Sequence, residues 1–177
     1  MTHAPEREES RARLQAWVTE TLPHALAYAT SLLRDRDAAE DAVHDCYCRI
    51  LRKADAYDLP RDGMKILIRS VTNACIDRAG RRRVLASLDE ANPAADPRAE
   101  EPAAAGMARE LAKAVEEALA RLPFAQRAAL EMKSLGRPLG DIAEALGITA
   151  NHAGVLVHRA RQDMARRLGP FLKGDTA

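Results

Sequence analysis

The stretch from residue 85 to residue 106 divides this 177-residue chain and limits what it can fold into. It reads LASLDEANPAADPRAEEPAAAG, with three prolines, many alanines, an acidic excess and no periodic spacing of large apolar side chains. Such a segment cannot bury enough apolar surface to offset the conformational entropy that folding removes. We therefore expect two small folded domains, residues 1–84 and 107–177, joined by a flexible acidic linker over residues 85–106.

Both halves have the composition of helical proteins. They lack the alternating valine, isoleucine and threonine runs that indicate strands, and the whole chain holds one tryptophan and two phenylalanines, so any core must be aliphatic. The fold class is predicted to be all-α. Pro23 is expected in the first turn of the second helix, and Asp35 or Asp37 at the N-cap of the third. The helices are expected at about 10–21, 23–34, 37–55, 63–80, 108–121, 124–134, 138–146 and 150–168.

Residues 141–161, DIAEALGITANHAGVLVHRAR, predict two short helices joined by a tight turn. Gly147 supplies the turn, where a positive φ is least costly, and Ile148 fills the angle between the helices. The small side chains of Ala143 and Ala153 let the helices cross closely, as in a helix-turn-helix. Such patterns also arise by chance in all-α proteins. DNA binding is favoured by the arginines that follow and can contact phosphates, Arg159, Arg161, Arg166 and Arg167.

The net charge of +1 conceals two clusters of opposite sign. Residues 69–83 contain five arginines and one aspartate, whereas residues 35–45 contain five acidic residues and one arginine. These clusters indicate two partners of opposite charge, unless both are merely solvated helix faces.

The cysteine pattern does not predict a disulfide framework or a metal site. Three cysteines are an odd number, which fits a reducing compartment. His44 and Cys48 share a helix face, but Cys46 points away from it and no second ligand pair follows. The sequence also lacks a glycine-rich phosphate loop and a nucleophile elbow. We therefore predict no catalytic residues, no metal, no cofactor and no small-molecule substrate.

The N-terminus lacks an apolar signal region, and no later run approaches the roughly 20 apolar residues that a membrane helix needs. We expect a cytoplasmic protein without membrane insertion.

Three segments together resemble one family. LPFAQRAALEMKSLGRPLGDIAEALGITANHAGVLVHRARQDMARRL resembles the C-terminal DNA-binding domain of extracytoplasmic-function (group 4) sigma factors of bacterial RNA polymerase. DAAEDAVHDCYCRIL resembles their acidic helix that binds the polymerase, and IRSVTNACIDRAGRRR resembles their promoter-melting helix. The segments occur in the order of that family, with the linker between them.

The resemblance implies that Asp41, His44 and Asp45 contact a coiled coil of the largest subunit of core RNA polymerase. Acidic side chains at i and i+4 form a stripe that can meet a basic partner helix. The family usually has glutamine at the position of His44, and histidine can also donate and accept hydrogen bonds.

The resemblance also implies that a loop at about residues 57–62 captures a flipped base of the minus-ten promoter element, and that the following helix contacts the surrounding DNA. An amide can read base edges while arginines neutralise phosphates. Family members commonly have an aromatic residue where this chain has Ile66, which alters the packing beneath the loop. The alternative is that Asn73 is an ordinary surface residue and residues 81–83 a solvated helix end. The implied minus-ten set is Tyr57, Arg61, Lys65, Arg69, Asn73, Asp77, Arg78, Arg81 and Arg82.

In the second helix of the helix-turn-helix, we expect Ala150, Ala153 and Val157 to be buried. Family members often have lysine, serine or arginine where this chain has Gly154, Val155 and Leu156. Recognition of the minus-thirty-five element is therefore expected to use few contacts with bases and to depend on DNA shape. The rival interpretation is that exposed Val155 and Leu156 bind a protein. The implied minus-thirty-five set is Asn151, His152, Val155, Leu156, His158, Arg159 and Arg161.

The implied function is that of a sigma factor that binds core RNA polymerase, recognises promoter DNA and assists strand opening. An anti-sigma factor is a further expected partner. Two alternatives stay open at this point: a stand-alone helix-turn-helix regulator that binds duplex DNA without polymerase, and a polymerase-binding adaptor without promoter specificity.

Overall fold

The computed structural model describes residues 4–80, 84, 88 and 107–172. All regular structure in these residues is helical, which confirms the all-α prediction. A short 3₁₀ helix at Ala54–Ala56 lies between the second and third α-helices. The α-helices are α1 (Ala4–Leu33), α2 (Arg36–Leu51), α3 (Leu59–Ala79), α4 (Met107–Ala120), α5 (Phe124–Ser134), α6 (Leu139–Leu146) and α7 (Ala150–Leu172).

The chain separates into two compact units near Arg78, and each is described by itself. Of the predicted linker, the structure describes only Leu88, which is helical and half-buried. The predicted domain boundaries and the flexibility of the linker therefore stay predictions.

The N-terminal unit begins with one long helix, where the sequence predicted two. Pro23 lies inside α1 and does not begin a new helix. Proline in a helix interior costs about 3 kcal/mol because it removes a hydrogen bond and crowds the preceding turn. Thr21, Ala25 and Tyr28 are buried on the same side of α1, before and after the proline. Continuous burial of this face offsets the local cost and keeps the helix in one piece.

The boundaries of α2 and α3 also differ from the predicted ones. The side chain of Asp35 accepts a hydrogen bond from the Ala38 amide at 3.0 Å, which confirms Asp35 as the N-cap of α2. The α3 helix begins at Leu59, so most of the predicted loop at residues 57–62 is helical. Asp58 explains the early start, because its side chain accepts from the Arg61 amide at 3.2 Å, and proline fits the first turn that follows.

Two pairs of hydroxyl groups fix how the helices of this unit pack. Thr72 donates to the Ile68 carbonyl at 2.7 Å, so the Tyr28 hydroxyl, 2.9 Å from the Thr72 oxygen, is the donor in that pair. In the same way Thr21 donates to a carbonyl of its own helix and accepts from Tyr47 at 2.8 Å. These buried bonds join α1 to α3 and to α2, and a different helix register would leave the two tyrosine hydroxyls without their threonine acceptors.

The only tryptophan, Trp17, packs on a glycine of α3. A Cβ atom added to Gly63 would lie 2.6 Å from Trp17 Nε1 and 2.9 Å from Cε2. The indole ring also meets Tyr47 edge-on, with 5.5 Å between the ring centroids. The absence of a side chain at Gly63 therefore allows α1 and α3 to approach closely at this point.

The C-terminal unit is built around α7, which packs against α4, α5 and α6. Gly147 has φ 67° and ends α6 in the left-handed conformation, and the Ile148 amide then donates to the Ala143 carbonyl at 3.0 Å. This geometry confirms the predicted turn. Pro138 precedes α6 in an extended conformation and its carbonyl accepts from the Asp141 and Ile142 amides.

One buried cation in this unit escaped the sequence analysis. Arg127 is buried, and its Nη1 donates to the carbonyls of Leu119 and Ala120 at 3.4 Å. These carbonyls belong to the last turn of α4, where the helix leaves acceptors unpaired and carries partial negative charge. The guanidinium thus caps α4 from within α5.

Replacing Gly63 by alanine tests the contact with Trp17. A glycine-to-alanine change inside a helix ordinarily stabilises it by about 1 kcal/mol. Here the added methyl group meets the indole, and overpacking of this kind costs about 1–3 kcal/mol. We expect Gly63→Ala to lower the free energy of unfolding in the wild-type background and to raise it in a Trp17→Leu background. Urea unfolding followed by circular dichroism measures both changes, and equal effects in the two backgrounds would contradict the contact.

Candidate nucleic-acid interface

One face of α2 carries the three residues predicted to bind polymerase. Asp41, His44 and Asp45 are exposed, while the opposite face of the helix is buried in the domain. His44 Nε2 lies 3.5 Å from the Cys48 sulfur, as expected for residues one turn apart. The structure therefore presents an acidic stripe with a histidine in its middle, available to a partner of opposite charge.

The exposed face of α3 carries Arg69, Asn73 and Asp77, which follow one another at intervals of one turn. Lys65 lies one turn before Arg69 and is half-buried. Tyr57 and Arg61 are exposed at the beginning of the helix. Lys65, Arg69, Asn73 and Asp77 therefore follow one another along α3 at one-turn intervals, whereas Arg78 is rotated about 100° from Asp77. Arg81 and Arg82 lie outside the described residues.

An ion pair connects the two predicted surfaces. Arg78 Nη2 lies 3.1 Å from Asp45 Oδ2, with 32% of the arginine side chain and 61% of the aspartate side chain exposed. Exposed pairs of this kind contribute about 0.2–1 kcal/mol and are screened by salt. Arg78, predicted to contact DNA, and Asp45, predicted to contact polymerase, thus neutralise each other in this structure. Separating the two side chains costs little free energy.

The ion pair lies in a polar groove between α2 and α3. Arg49 and Arg52 also line this groove, and neither was predicted as a site residue. Arg49 follows Asp45 by one turn and its Nε donates to the Asp45 carbonyl at 3.3 Å. The sequence could have indicated this position, because Arg49 follows Asp45 by four residues and Arg52 follows Arg49 by three. Helical residues three and four apart share a face.

The cysteines beside this groove are free thiols. Burial raises the pKa of Cys75 to about 12, and it also raises the pKa of Cys46, so both remain protonated at neutral pH. Within the described residues, no group of three or more histidine, cysteine or acidic side chains could hold a metal ion.

The exposed side of α7 differs from the prediction at two positions. Leu156 is 0% exposed, packed in the core on the same side as Ala153 and Val157. Leu156 follows Ala153 by three residues and precedes Ala160 by four, so it falls in the middle of the apolar stripe. The prediction that it faces a DNA groove is wrong, and so is the idea that it forms an exposed aliphatic pair with Val155. Ala150, predicted to be buried, is exposed in the first turn.

The remaining predicted residues of α7 are accessible. Val155 is 38% exposed and His152 is half-buried. The hydroxyl of Thr149 accepts from the His152 amide at 3.2 Å and caps the helix, a role that the sequence analysis did not identify. The exposed residues are Asn151, Val155, His158, Arg159 and Arg161.

Two of the arginines that follow are held by a buried carboxylate. Asp163 forms ion pairs with Arg166 and with Arg167, whose Nε lies 2.6 Å from Asp163 Oδ2. Burial alone would raise the pKa of Asp163, but the hydrogen bonds from Arg167 and Arg166 outweigh it and lower the pKa. Arg159 and Arg161 are therefore better placed to contact DNA phosphates than Arg166 and Arg167, which pair with Asp163.

Comparison with known proteins decides the family. Residues 17–84 match the family Sigma-70 region 2, and residues 112–164 match the family Sigma-70, region 4. The chain is 35% identical over 149 residues to the ECF RNA polymerase sigma factor SigM of Mycobacterium tuberculosis, in strains Erdman and H37Rv. The alignment covers 82% of this chain and 71% of SigM.

The chain belongs to the extracytoplasmic-function (ECF) sigma factors. Its function is therefore to recognise promoters as a sigma subunit of bacterial RNA polymerase, and the alternatives of a stand-alone regulator and of an adaptor without promoter specificity are set aside. The fold agrees with a solved structure of the sigma factor RpoE in complex with the anti-sigma factor NepR from Bartonella quintana. That structure superposes with a TM-score of 0.61 at 24% identity, covering 92% of this chain and 98% of the other.

This ECF sigma factor contains no helix, among those described, with the length and hydrophobicity that a bilayer crossing requires.

Replacing Asp163 by asparagine tests the role of the buried carboxylate. The lowered pKa means that the ionised form stabilises the fold, so this stability is present above the ordinary aspartate pKa of 3.8 and is lost as the pH falls through the lowered value. We expect Asp163→Asn to cost about 1–3 kcal/mol at pH 7. The difference from wild type should shrink below about pH 5. Urea unfolding at several pH values measures it, with the exposed change Arg161→Gln as the control that stays within about 0.5 kcal/mol.

Proposed function

We propose that α2, α3 and α7 divide the work of the sigma factor between polymerase binding, strand opening and upstream recognition. The observation that carries this proposal is the placement of an acidic stripe and a basic, amide-bearing stripe on two exposed helix faces of one small domain. Asp41, His44 and Asp45 of α2 bind a basic helical surface of core RNA polymerase. In this proposal the polymerase supplies the chemistry, and the sigma factor contributes no catalytic residue, metal or cofactor.

The exposed side of α3 contacts the opened DNA strand of the minus-ten promoter element. Asn73 presents an amide that can both donate to and accept from a base edge, while Arg69 binds backbone phosphate. Tyr57 and Arg61 lie at the start of the helix, where an aromatic ring and a cation can receive an unpaired base. The further members of this set are Lys65, Asp77, Arg78, Arg81 and Arg82.

In the minus-thirty-five element, α7 enters the major groove with few base-reading groups. Asn151 and His152 offer polar contacts, and Val155 can contact a thymine methyl group. His158, Arg159 and Arg161 lie further along the helix and favour phosphate contacts. We infer that most of the upstream affinity is electrostatic and that specificity depends partly on DNA shape.

An anti-sigma factor and a cytoplasmic location complete the proposal. The solved complex of RpoE with NepR supports an anti-sigma partner, because a fold of this kind accommodates one there. A subunit that works on core polymerase and chromosomal DNA must reside with them in the cytoplasm.

Transcription with purified core RNA polymerase tests the proposed division of work. Fragments of the source genome are transcribed with and without the full-length chain, and start sites are mapped. We expect new starts that share two spaced upstream motifs. Starts without an upstream motif would overturn the role of α7, and absence of core binding would overturn the role of α2.

A pair of charge variants sharpens this experiment. Asp41→Asn removes a charge from the acidic stripe, whereas Glu117→Gln removes an equal charge from an exposed position of α4 in the C-terminal unit. We expect Asp41→Asn to weaken core binding several-fold more than Glu117→Gln, because only Asp41 lies on the proposed contact face. Equal effects of the two variants would assign the result to net charge alone.

Substitutions at two neighbouring positions of α7 distinguish a side chain that contacts DNA bases from one that packs in the core. Leu156→Ala creates a cavity in the core and should cost about 2–5 kcal/mol of stability. Val155→Ala should leave stability within about 0.5 kcal/mol and reduce discrimination at one upstream base pair. Thermal unfolding and transcription from a set of single-base promoter variants measure these effects. An unfolding penalty at Val155 larger than at Leu156 would contradict the observed register of the helix.

A further inference from the structure

The polar groove between α2 and α3 has a volume of about 470 Å³, within the range of sites that hold small ligands. Three arginines line it. Arg49 lies in the last turn of α2, Arg52 directly follows that helix, and Arg78 lies in the last turn of α3. Only Arg78 belongs to a residue set that the sequence analysis proposed, so Arg49 and Arg52 have no assigned role.

The guanidinium groups of Arg49 and Arg52 keep donors for a ligand. Arg49 Nε donates to the Asp45 carbonyl at 3.3 Å, and Arg49 Nη2 lies 3.4 Å from the Cys46 sulfur. Contacts of this length are weak and can yield to a charged acceptor. Arg52 is exposed and, in the part of the chain that the structure describes, forms no ion pair. A guanidinium carries five N–H donors, so most of them remain available.

These donors suit a phosphate group. The planar fork of an arginine donates two parallel N–H bonds to phosphate oxygens, and such charge-assisted bonds are about twice as strong as neutral ones. Asn73 also lines the groove, and its amide adds an uncharged donor. Because donors come from both helices, a group with several acceptor oxygens can contact both walls at once. A phosphate meets this condition.

A carboxylate limits the affinity of the groove for an anion. Asp45 and Asp77 line it together with the three arginines, which leaves a formal charge of +1. Asp45 Oδ2 lies 3.1 Å from Arg78 Nη2 and engages that donor directly. In the free protein, Asp45 therefore holds one of the three cations away from an incoming phosphate.

We propose that this groove binds a phosphate group through Arg49, Arg52 and Arg78, and that Asp45 controls its affinity by holding Arg78. The control rests on the proposed function, in which Asp45 binds a basic surface of core RNA polymerase. When the polymerase neutralises Asp45, Arg78 is released to the phosphate. Phosphate binding and core binding then strengthen each other, because coupling between two sites is reciprocal. A DNA strand and a free phosphorylated compound both supply the group, and different probes distinguish them.

Anisotropy of a labelled deoxythymidine dodecamer measures strand binding by the full-length chain. Arg52→Gln removes a cation that lines the groove, whereas Lys53→Gln removes the next cation in the sequence, which is exposed and does not line it. For single strands, the logarithm of the association constant falls with the logarithm of the salt concentration by about 0.7 per phosphate contact. We expect Arg52→Gln to weaken binding and to flatten this slope by about 0.7, and Lys53→Gln to leave the slope unchanged.

Calorimetric titration with inorganic pyrophosphate distinguishes the source of the phosphate. Saturable pyrophosphate binding that is lost in Arg52→Gln and retained in Lys53→Gln supports a site for a free phosphorylated compound. Strand binding that depends on Arg52, without pyrophosphate binding, supports a site for the DNA backbone. If neither probe binds in a way that depends on Arg52, the groove is not a phosphate site and the proposal is wrong.

A second arginine guards against a structural explanation. Arg49→Gln should reproduce the loss of binding seen in Arg52→Gln. Both side chains are exposed, so the free energy of unfolding in urea should stay within about 0.5 kcal/mol of wild type. Loss of binding together with a large loss of stability in both variants would assign the result to unfolding and count against the groove.

A double-mutant cycle tests the control by Asp45. In the free chain, Asp45→Asn should raise the affinity for the bound probe by up to about 5-fold at low salt, because it releases Arg78. Asp41→Asn removes an equal charge one turn earlier, outside the groove, and should raise the affinity less. In an Arg78→Gln background, Asp45→Asn should have no larger effect than Asp41→Asn. Equal effects of the two substitutions in the wild-type background would contradict control by Asp45.

Core binding, measured separately, distinguishes failure of this inference from failure of the proposed function. If Asp41→Asn and Asp45→Asn both leave core binding unchanged, the proposed role of α2 fails, whereas phosphate binding that depends on Arg52 still stands. If both weaken core binding but Arg52→Gln changes the binding of neither probe, the proposed function stands and the phosphate site is removed.

Discussion

Close packing of helices through small side chains is the constraint on which this structure depends. Alanine occupies many of the fully buried positions, including Ala25, Ala29 and Ala39 in the N-terminal unit and Ala128 and Ala153 in the C-terminal unit. Small residues bring helix axes close together, so even small domains with few aromatic side chains reach the packing density of a protein interior. The approach of α1 to α3 at Gly63, where an added Cβ atom would overlap the indole of Trp17, is the clearest instance.

Small side chains alone specify register poorly, because many alignments of two alanine faces have similar energies. The buried pairs Tyr28–Thr72 and Thr21–Tyr47 reduce this ambiguity, since another alignment would take the threonine acceptor away from each tyrosine hydroxyl. Arg127 has a similar role in the C-terminal unit, where it satisfies the carbonyls at the end of α4. The exposed faces thereby acquire defined positions, and the acidic stripe of α2 comes to lie beside the basic side of α3.

This proximity has a functional consequence. Asp45 and Arg78 belong to different proposed interfaces and pair with each other across the groove between α2 and α3. Because the pair is exposed, separating it costs little, and each charge stays available to a partner. The two proposed interfaces of the N-terminal unit are therefore adjacent.

The sequence by itself determined the helical class, the family, the turn at Gly147, the cap at Asp35 and the composition of the exposed faces. These features depend on local backbone preferences, helical periodicity and motif order, all of which are properties of neighbouring residues. Tertiary structure decided that α1 continues through Pro23, that Leu156 points into the core, that Asp163 is buried and that Trp17 borders a cleft. Each of these depends on contacts between segments distant in the chain or on the rotation of a helix about its axis. The free energy of burial outweighs local propensity at such positions, and only the packed domain reveals which side of a helix it covers.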